Sequence, residues 1–361
     1  MHTSFTPSEL TRQVGQLFMV GIPGVHLDRD IEFLIRDFDP AGVILFSRNI
    51  EDPLQLAGLC SDLQDTAINY HQKPLFIAVD QEGGRVSRLR EPFTIFPGNE
   101  AIGMDDNPPA RAQEFASITA MEMKMVGLNM NLAPVVDVRR GEPERHLGGR
   151  MFGEDSETVS MLGGIVVRTL QENGVMAVAK HFPGLGRAGI DPHFHLPVIE
   201  TDIKEIHRVN LPPFQAAIVE GVTALMTSHA VYPALDDKHP ATLSPQIMIG
   251  LLRNQMRFNG LIVTDDLEMG AIAKKWGVAE GALMSFEAGA DMLLICKDQG
   301  NLLESISLIR EKILQGDIAA DRLRQTLSRI QRAKSIFCKP GERISLEDVK
   351  QYFGQKGAGH A

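Results

Sequence analysis

Residues 175–186 read VMAVAKHFPGLG, and this stretch shows the pattern on which the fold prediction rests. Five apolar residues end at the adjacent Lys180 and His181, and a loop with three glycines follows. At the far end of this loop, Asp191 and His193 lie two residues apart. A buried strand that delivers polar side chains to a glycine-containing loop is typical of the sites of α/β proteins. The sequence therefore predicts a functional site where this strand ends.

The same pattern recurs along the chain, with long helical patterns between the repeats. We identify eight short apolar runs, each closed by a polar residue or a glycine, at residues 17–20, 42–46, 75–79, 130–136, 176–179, 224–227, 261–264 and 292–295. Nearly continuous apolar strands that alternate with helices are typical of parallel strands covered on both faces. The sequence therefore predicts the α/β class and a single (β/α)8 TIM-like barrel rather than an open doubly wound sheet.

Helical periodicity and end signals support this alternation. Asp155 and Ser156 are followed by apolar residues at helical spacing, and Gly174 ends the pattern. Similar patterns cover residues 53–69, 109–126, 203–220 and 269–288. No linker rich in proline or serine interrupts the chain. We therefore predict one barrel domain over residues 1–340 and a short polar C-terminal tail over residues 341–361.

Composition limits the classes of partner. With 361 residues, 43% of them hydrophobic, the chain can bury a full core. Its net charge of −10 argues against nucleic-acid and anionic-membrane partners, because both require basic patches. The three cysteines predict neither a disulfide framework nor a cysteine-type zinc site. The N-terminus resembles no signal peptide, and no apolar run reaches the roughly 18 residues of a membrane span, so we expect a cytoplasmic protein.

Ionisable residues follow seven of the eight predicted strands. They are Ser47–Arg48, Asp80–Glu82, Asp137, Lys180–His181, Ser228–His229, Asp265–Asp266 and Lys297–Asp298. The carboxyl ends of the strands meet at one face of a barrel, where such proteins place their sites. For Ser47–Arg48 and Lys297–Asp298, a surface turn is as good an explanation as a functional site.

Two arginine-containing motifs are candidates for ligand binding. Asp80 is followed closely by Arg88, and a carboxylate beside a guanidinium suits hydrogen bonding to sugar hydroxyls. A structural ion-pair network is the alternative. Arg150 either holds a ligand or pairs with its neighbours Glu154 and Asp155.

Asp265 ends a buried strand, a position that suits a nucleophile. Helix capping is the alternative role, above all for Asp266. Because neighbouring strand residues point to opposite faces, we do not expect these two aspartates to share one role. His193 and His195 form an H-x-H pair, but metal-dependent barrel hydrolases usually carry that pair on the first strand. We therefore predict no metal and no cofactor.

Six motifs taken together resemble those of the family-three glycoside hydrolases, specifically their β-N-acetylglucosaminidase branch. They are VDQEGGRV at 79–86, LAPVVDV at 132–138, GRMFGED at 149–155, KHFPG at 180–184, DPH at 191–193 and VTDDLEM at 263–269. The resemblance covers roughly residues 10–300, in order and with similar spacing. This chain departs from the family pattern at Leu185 and Pro192, where the family usually has histidine and serine. Pro192 restricts the backbone of the loop, but neither change removes a proposed catalytic group.

The resemblance implies a role for each candidate residue. Asp265 would be the nucleophile, and His193 the general acid/base, with Asp191 orienting its imidazole. The sugar would be bound by Asp80, Arg88, Arg150, Lys180 and His181. The implied activity is a retaining exo-β-N-acetylglucosaminidase that acts through a covalent glycosyl–aspartate. The implied substrates are small carbohydrates, namely muropeptides of peptidoglycan recycling, and we expect a monomer.

Two other functions stay open from the sequence. One is a β-glucosidase or β-xylosidase of the same family. Such β-glucosidases generally add a second domain that supplies a glutamate acid, and they lack the Asp-x-His loop, so the resemblance favours the hexosaminidase branch. The other is a sugar-binding barrel without catalytic activity.

Overall fold

The computed structural model describes residues 6–141, 145–338 and 343–358. Within them, eight parallel strands form a closed barrel in chain order, and the first strand pairs with the last. The strands are β1 (Phe18–Gly21), β2 (Gly42–Ile44), β3 (Phe76–Val79), β4 (Met130–Asn131), β5 (Met176–Phe182), β6 (Ala224–Thr227), β7 (Leu261–Asp266) and β8 (Met292–Ile295). Each predicted apolar run overlaps one of these strands, and the predicted (β/α)8 barrel is confirmed.

Helices surround the barrel and connect its strands. They are α1 (Pro7–Gly15), α2 (Arg29–Phe38), α3 (Pro53–His71), α4 (Asn99–Gly103), α5 (Pro108–Met125), α6 (Ser156–Glu172), α7 (Ile203–Glu205), α8 (Leu211–Val219), α9 (Gly270–Ala273), α10 (Val278–Ala288), α11 (Gln299–Gln315), α12 (Ala320–Phe337) and α13 (Leu346–Ala358). Ile206–Asn210 and Gln246–Gln255 are π-helical. Two hairpins lie outside the barrel, Gln81–Gly83 with Val86–Ser87 and Val231–Tyr232 with Asp236–Pro240.

Side-chain caps determine where several helices begin. Asp52 accepts hydrogen bonds from the backbone N–H groups of Leu54 and Gln55 at the start of α3. Asp155 accepts one from Thr158 at the start of α6, as its position in the sequence predicted. Such caps satisfy N–H groups that have no partner inside the helix.

Apolar side chains fill the barrel and the layer between barrel and helices. Leu261 and Val263 of β7 belong to the interior cluster, whereas Ile262 between them packs outward beneath the helices. Other interior residues are Met19, Phe76, Met130, Met176, Met226, Met292 and Leu294. Because the interior is filled, a ligand binds at the strand ends rather than inside the barrel.

Two helical segments differ from the prediction. The single helix expected over residues 269–288 is split into α9 and α10. Between them Gly277 has a φ of +81°, a conformation that favours glycine and is incompatible with a continuous helix. The helix expected over residues 203–220 contains the π-helical segment between α7 and α8.

The C-terminal segment contains α13, which packs against α3. Val349 and Phe353 are buried, and the ring centroids of Phe353 and Phe93 lie 4.6 Å apart. The Lys356 ammonium pairs with Glu122 of α5. α13 thus packs on the helical layer that surrounds the barrel, and the boundary at residue 340 stays a prediction.

Cys60, Cys296 and Cys338 are buried free thiols. In the part of the chain that the structure describes, no helix is both long enough and apolar enough to span a membrane.

Candidate active site

The register is irregular at two strand ends that carry candidate residues. It shifts in β5 between Ala179 and Phe182 and in β7 between Val263 and Asp266. Bulges of this kind redirect side chains and are over-represented beside active sites. Lys180, His181 and Asp265 therefore lie within the segments of these two strands where the regular pairing breaks down.

Five charged side chains form one network at this end of the barrel. Lys180 lies at its centre, with Nζ 2.8 Å from Asp80 Oδ1 and 2.7 Å from Glu82 Oε1. Arg150 donates to both oxygens of Glu82, at 2.8 and 2.9 Å. Arg88 Nη2 lies 3.1 Å from Asp80 Oδ2. With three cations and two carboxylates, the network carries an excess of positive charge and of hydrogen-bond donors.

The two carboxylates of this network stay ionised. Burial alone would raise the pKa of Glu82, but the adjacent Arg150 and Lys180 outweigh it and lower that pKa to about 2. Burial would likewise raise the pKa of Asp80, but Lys180 and Arg88 outweigh it and lower that pKa below its usual value. Glu82 therefore does not supply a proton near neutral pH.

The partner of Arg150 is Glu82, not either of the neighbours considered from the sequence. Glu154 pairs with Arg139 at 3.1 Å, and Asp155 caps α6. Glu82 was not among the predicted site residues, although it lies in the same motif as Asp80. Its two partners are distant in sequence, so only the closed barrel brings them together.

His181 lies next to Asp137, which follows β4. Nδ1 of His181 is 2.7 Å from Asp137 Oδ2, and both residues are buried. The peptide bond between Lys180 and His181 is cis. His229, after β6, is also buried, and its Nε2 lies 3.0 Å from the backbone carbonyl of Asp266. Neither Asp137 nor His229 was among the selected site residues, although both stood in the pattern of polar strand ends.

The adjacent aspartates at the end of β7 have different environments. Burial would raise the pKa of Asp265, but three neighbours outweigh it and lower that pKa below its usual value: His229, His181 and Lys180. Burial instead raises the pKa of Asp266 to about 7, and the carboxylates of Glu268 and Asp265 add to the shift. Asp265 is thus a carboxylate kept ionised by cationic and imidazole groups, as a nucleophile requires.

Asp191 and His193 form a second group on the loop after β5. Asp191 Oδ1 accepts the backbone N–H of His193 at 2.9 Å and lies 2.7 Å from its Nδ1. Burial would raise the pKa of Asp191, but these hydrogen bonds outweigh it and lower that pKa below its usual value. The His193 side chain is 59% exposed, so its Nε2 edge is open to a ligand. The predicted dyad therefore has the geometry of an oriented imidazole.

This loop is attached to the segment that follows Asp265. The backbone N–H of Gly270 donates to the carbonyl oxygen of His193 at 2.9 Å, and the backbone N–H of Ala271 donates to the carbonyl oxygen of Pro192 at 3.1 Å. Lys274 Nζ donates to the carbonyl of Phe194 at 2.9 Å. The nucleophile candidate and the loop that carries the imidazole are thus linked through α9.

The predicted site residues fall into two groups. Asp80, Arg88, Arg150 and Lys180 share the ion-pair network, and His181 and Lys180 act electrostatically on Asp265. Asp191 and His193 lie on the attached loop. Among the described residues, no three His, Cys, Asp or Glu side chains are arranged to hold a metal ion.

Comparisons of this chain with a family profile and with known proteins point to the same family. The sequence profile described as "Glycosyl hydrolase family 3 N terminal domain" matches residues 9–333. A beta-hexosaminidase of Methylobacillus flagellatus is 35% identical over 306 residues, which cover 83% of this chain and 86% of that protein. A beta-hexosaminidase of Pseudomonas aeruginosa is 35% identical over 283 residues, which cover 78% of this chain and 83% of that protein.

Solved structures show the same relationship. A glycoside hydrolase family 3 beta-N-acetylglucosaminidase from Paenibacillus sp. superposes with a TM-score of 0.89 at 35% identity, covering 98% of this chain and 68% of that chain. NagZ from Neisseria gonorrhoeae, in complex with N-trifluoroacetyl-D-glucosamine, superposes with a TM-score of 0.79 at 29% identity, and the match covers 95% of this chain and 96% of that chain. The profile spans most of the barrel, and the chain belongs to glycoside hydrolase family 3.

Proposed function

We propose that this glycoside hydrolase is a retaining exo-β-N-acetylglucosaminidase, that is, a β-N-acetylhexosaminidase, which removes terminal non-reducing N-acetylglucosamine. The observation that carries the proposal is the pairing of an ionised, half-buried Asp265 with an Asp191–His193 dyad on a loop that is attached just after it. The names of the relatives and of the structural neighbours support the same activity.

In the first step, the Asp265 carboxylate attacks the anomeric carbon and the glycosidic bond breaks. His193 in its imidazolium form gives a proton to the departing oxygen, so the leaving group departs neutral. The product of this step is a glycosyl ester of Asp265. In the second step, neutral His193 takes a proton from water, which attacks the anomeric carbon and releases Asp265. Two displacements at one carbon retain its configuration.

An imidazole suits this double role because its ordinary pKa lies near neutrality. Asp191 accepts from Nδ1, which leaves Nε2 for the leaving oxygen and later for water. The neutral ring is also not repelled by the nearby carboxylate of Asp265 while it activates water.

The ion-pair network supports binding of the sugar. Arg88, Arg150 and Lys180 hold fixed N–H groups at the strand ends, and Asp80 and Glu82 keep free lone pairs beyond those that these cations use. Fixed donors and acceptors bind a polyhydroxylated ring with little loss of side-chain entropy.

We further propose that the natural substrates are muropeptide fragments of peptidoglycan recycling, and that the protein acts in the cytoplasm as a monomer. These proposals rest on the resemblance of the motifs to the N-acetylglucosaminidase branch of the family.

Hydrolysis of three chromogenic substrates tests the activity. We expect the nitrophenyl β-N-acetylglucosaminide to be cleaved with a kcat/KM well above that for the β-glucoside and the β-xyloside. NMR of the first-formed product should show the β-anomer. Preference for the glucoside or the xyloside would assign the other branch of the family. Binding of N-acetylglucosamine without turnover of any substrate would indicate a sugar-binding barrel.

A further inference from the structure

Asp137 uses its two carboxylate oxygens for different partners. Oδ1 accepts two backbone N–H groups, from His181 at 3.2 Å and from Leu185 at 2.7 Å. Oδ2 lies 2.7 Å from Nδ1 of the His181 ring. Asp137 and His181 are only 0% and 4% exposed, so these contacts are shielded from water. The carboxylate therefore holds both the backbone and the ring of His181.

This arrangement determines which nitrogen of the His181 imidazole carries the proton. A carboxylate only accepts hydrogen bonds, so the short contact to Oδ2 requires the proton on Nδ1. In the neutral ring, Nε2 then carries a lone pair. Among the residues that the structure describes, none forms a hydrogen bond with this Nε2.

The lone pair on Nε2 of His181 is distinctive because most of the charged side chains around it are hydrogen-bond donors. Lys180, Arg88 and Arg150 present N–H groups, and each of the carboxylates of Asp80 and Glu82 already pairs with two of these cations, which leaves only part of its acceptor capacity for a ligand. His181 lies near the end of β5 and Asp265 near the end of β7, so both are at the same end of the barrel. A neutral imidazole at this end of the barrel can accept a hydrogen bond from a sugar hydroxyl without adding negative charge near Asp265.

We propose that Asp137 is a positioning residue that holds His181 as the Nδ1–H tautomer, so that Nε2 accepts a hydrogen bond from a hydroxyl of the bound sugar. The part that concerns the sugar rests on the proposed function. The tautomer itself does not, since it follows from contacts within the protein.

Asp137→Asn reverses the hydrogen-bond polarity. The two backbone N–H groups that point at Oδ1 require an oxygen there, so the amide NH2 of the asparagine takes the position of Oδ2. It then donates to Nδ1 of His181, which must accept. The proton moves to Nε2, and the acceptor that faces the site becomes a donor.

The first test is NMR of protein labelled with 15N-histidine, at neutral pH and without substrate. The His181 signal is assigned by its loss in His181→Gln. We expect the Nδ1–H tautomer in the wild type and the Nε2–H tautomer in Asp137→Asn. A matched control is Asp236→Asn, because Asp236 is also buried and also accepts backbone N–H groups, from Lys238 and His239. The control should leave the His181 signal unchanged.

The second test is kinetic. Asp137→Asn should raise KM for the chromogenic N-acetylglucosaminide roughly tenfold, the effect of one lost hydrogen bond, with a smaller change in kcat. In the His181→Gln background the same substitution should have no further effect, because Asp137 acts through His181.

Three outcomes would overturn the proposal: a wild-type His181 protonated on Nε2, a ring protonated on both nitrogens, or an Asp137→Asn effect of full size in the His181→Gln background. If Asp137→Asn does not fold, the wild-type spectrum alone still decides the tautomer. Absence of hydrolysis by the wild type would contradict the proposed function, whereas the NMR result needs no substrate and stands separately.

Discussion

At the residue scale, the site shows how position changes the chemistry of one residue type. Asp265 and Asp266 are adjacent, yet the pKa of Asp265 is lowered whereas that of Asp266 is raised to about 7. The difference arises because imidazoles and an ammonium surround the first side chain, and carboxylates surround the second. Only Asp265 is therefore fully ionised near neutral pH.

We expect Asp265→Ala to reduce kcat by at least roughly 10³-fold and to leave the thermal unfolding midpoint nearly unchanged, because no other group can form the covalent intermediate. A 2-fluoro glycoside should label the wild-type enzyme, and peptide mass spectrometry should find the label on Asp265. Label on Asp266, or inversion at the anomeric carbon, would contradict the assignment.

We expect His193→Ala to impair cleavage of a natural disaccharide by about 10²–10⁴-fold, the usual contribution of a general acid. The first step on a nitrophenyl glycoside should change much less, because that leaving group needs little protonation. Pre-steady-state kinetics separate the two steps, and azide should partly restore the second. Asp191→Asn should show the same pattern in milder form. Equal losses for good and poor leaving groups would mean that His193 only binds the substrate.

At the element scale, the important contact is that between the loop carrying His193 and the start of α9. Gly270 has no side chain at the point of closest approach, and its N–H donates to the carbonyl of His193. A Cβ at this position would lie 2.8 Å from that carbonyl oxygen and 2.9 Å from the carbonyl oxygen of Phe194. Both are backbone atoms, so the loop itself would have to move.

Gly270→Ala should therefore displace the imidazole and reduce kcat/KM for a disaccharide by roughly 10²-fold, the effect expected for a catalytic group misplaced by about 1 Å. The matched control is Gly58→Ala in α3, where a Cβ meets no atom within 4 Å. The control should retain full activity. A Gly270→Ala enzyme with wild-type kinetics would show that the loop position does not depend on this contact.

At the scale of the whole molecule, a second charged cluster lies at the opposite end of the barrel. Asp291, just before β8, is fully buried and pairs with Arg253, Arg322 and Arg329. It also accepts the backbone N–H of Ile262 in β7. Burial lowers the pKa of Arg253 to about 10 even though Asp291 is beside it. This carboxylate joins two strands to α12, far from the residues proposed for catalysis.

Asp291→Ala should lower the free energy of unfolding by about 3–5 kcal/mol, because it leaves three arginines close together without their shared partner. Urea denaturation measures the change. The control is Asp321→Ala in α12, which removes an exposed ion pair with Arg324 and should change stability little. A destabilisation of Asp291→Ala no larger than that of the control would show that this cluster does not hold the barrel end together.

The sequence by itself determined the elements and the candidate residues. Short apolar runs between helical patterns are local features, and each run overlapped a barrel strand, because a strand buried on both faces must be apolar along its length. Polar residues that end such runs had to meet at one face once the barrel closed. The motifs added the roles proposed for Asp265, His193 and Asp191.

Only the tertiary structure decided which side chains pair. Arg150 binds Glu82 rather than its near neighbours, and Asp137 holds His181, because the barrel brings together residues that are distant in the chain. The break in the helix after β7 and the burial of α13 likewise depend on packing. Hydrogen bonds and ion pairs form between groups that are close in space, and a linear sequence records which residues are present but not which of them become neighbours.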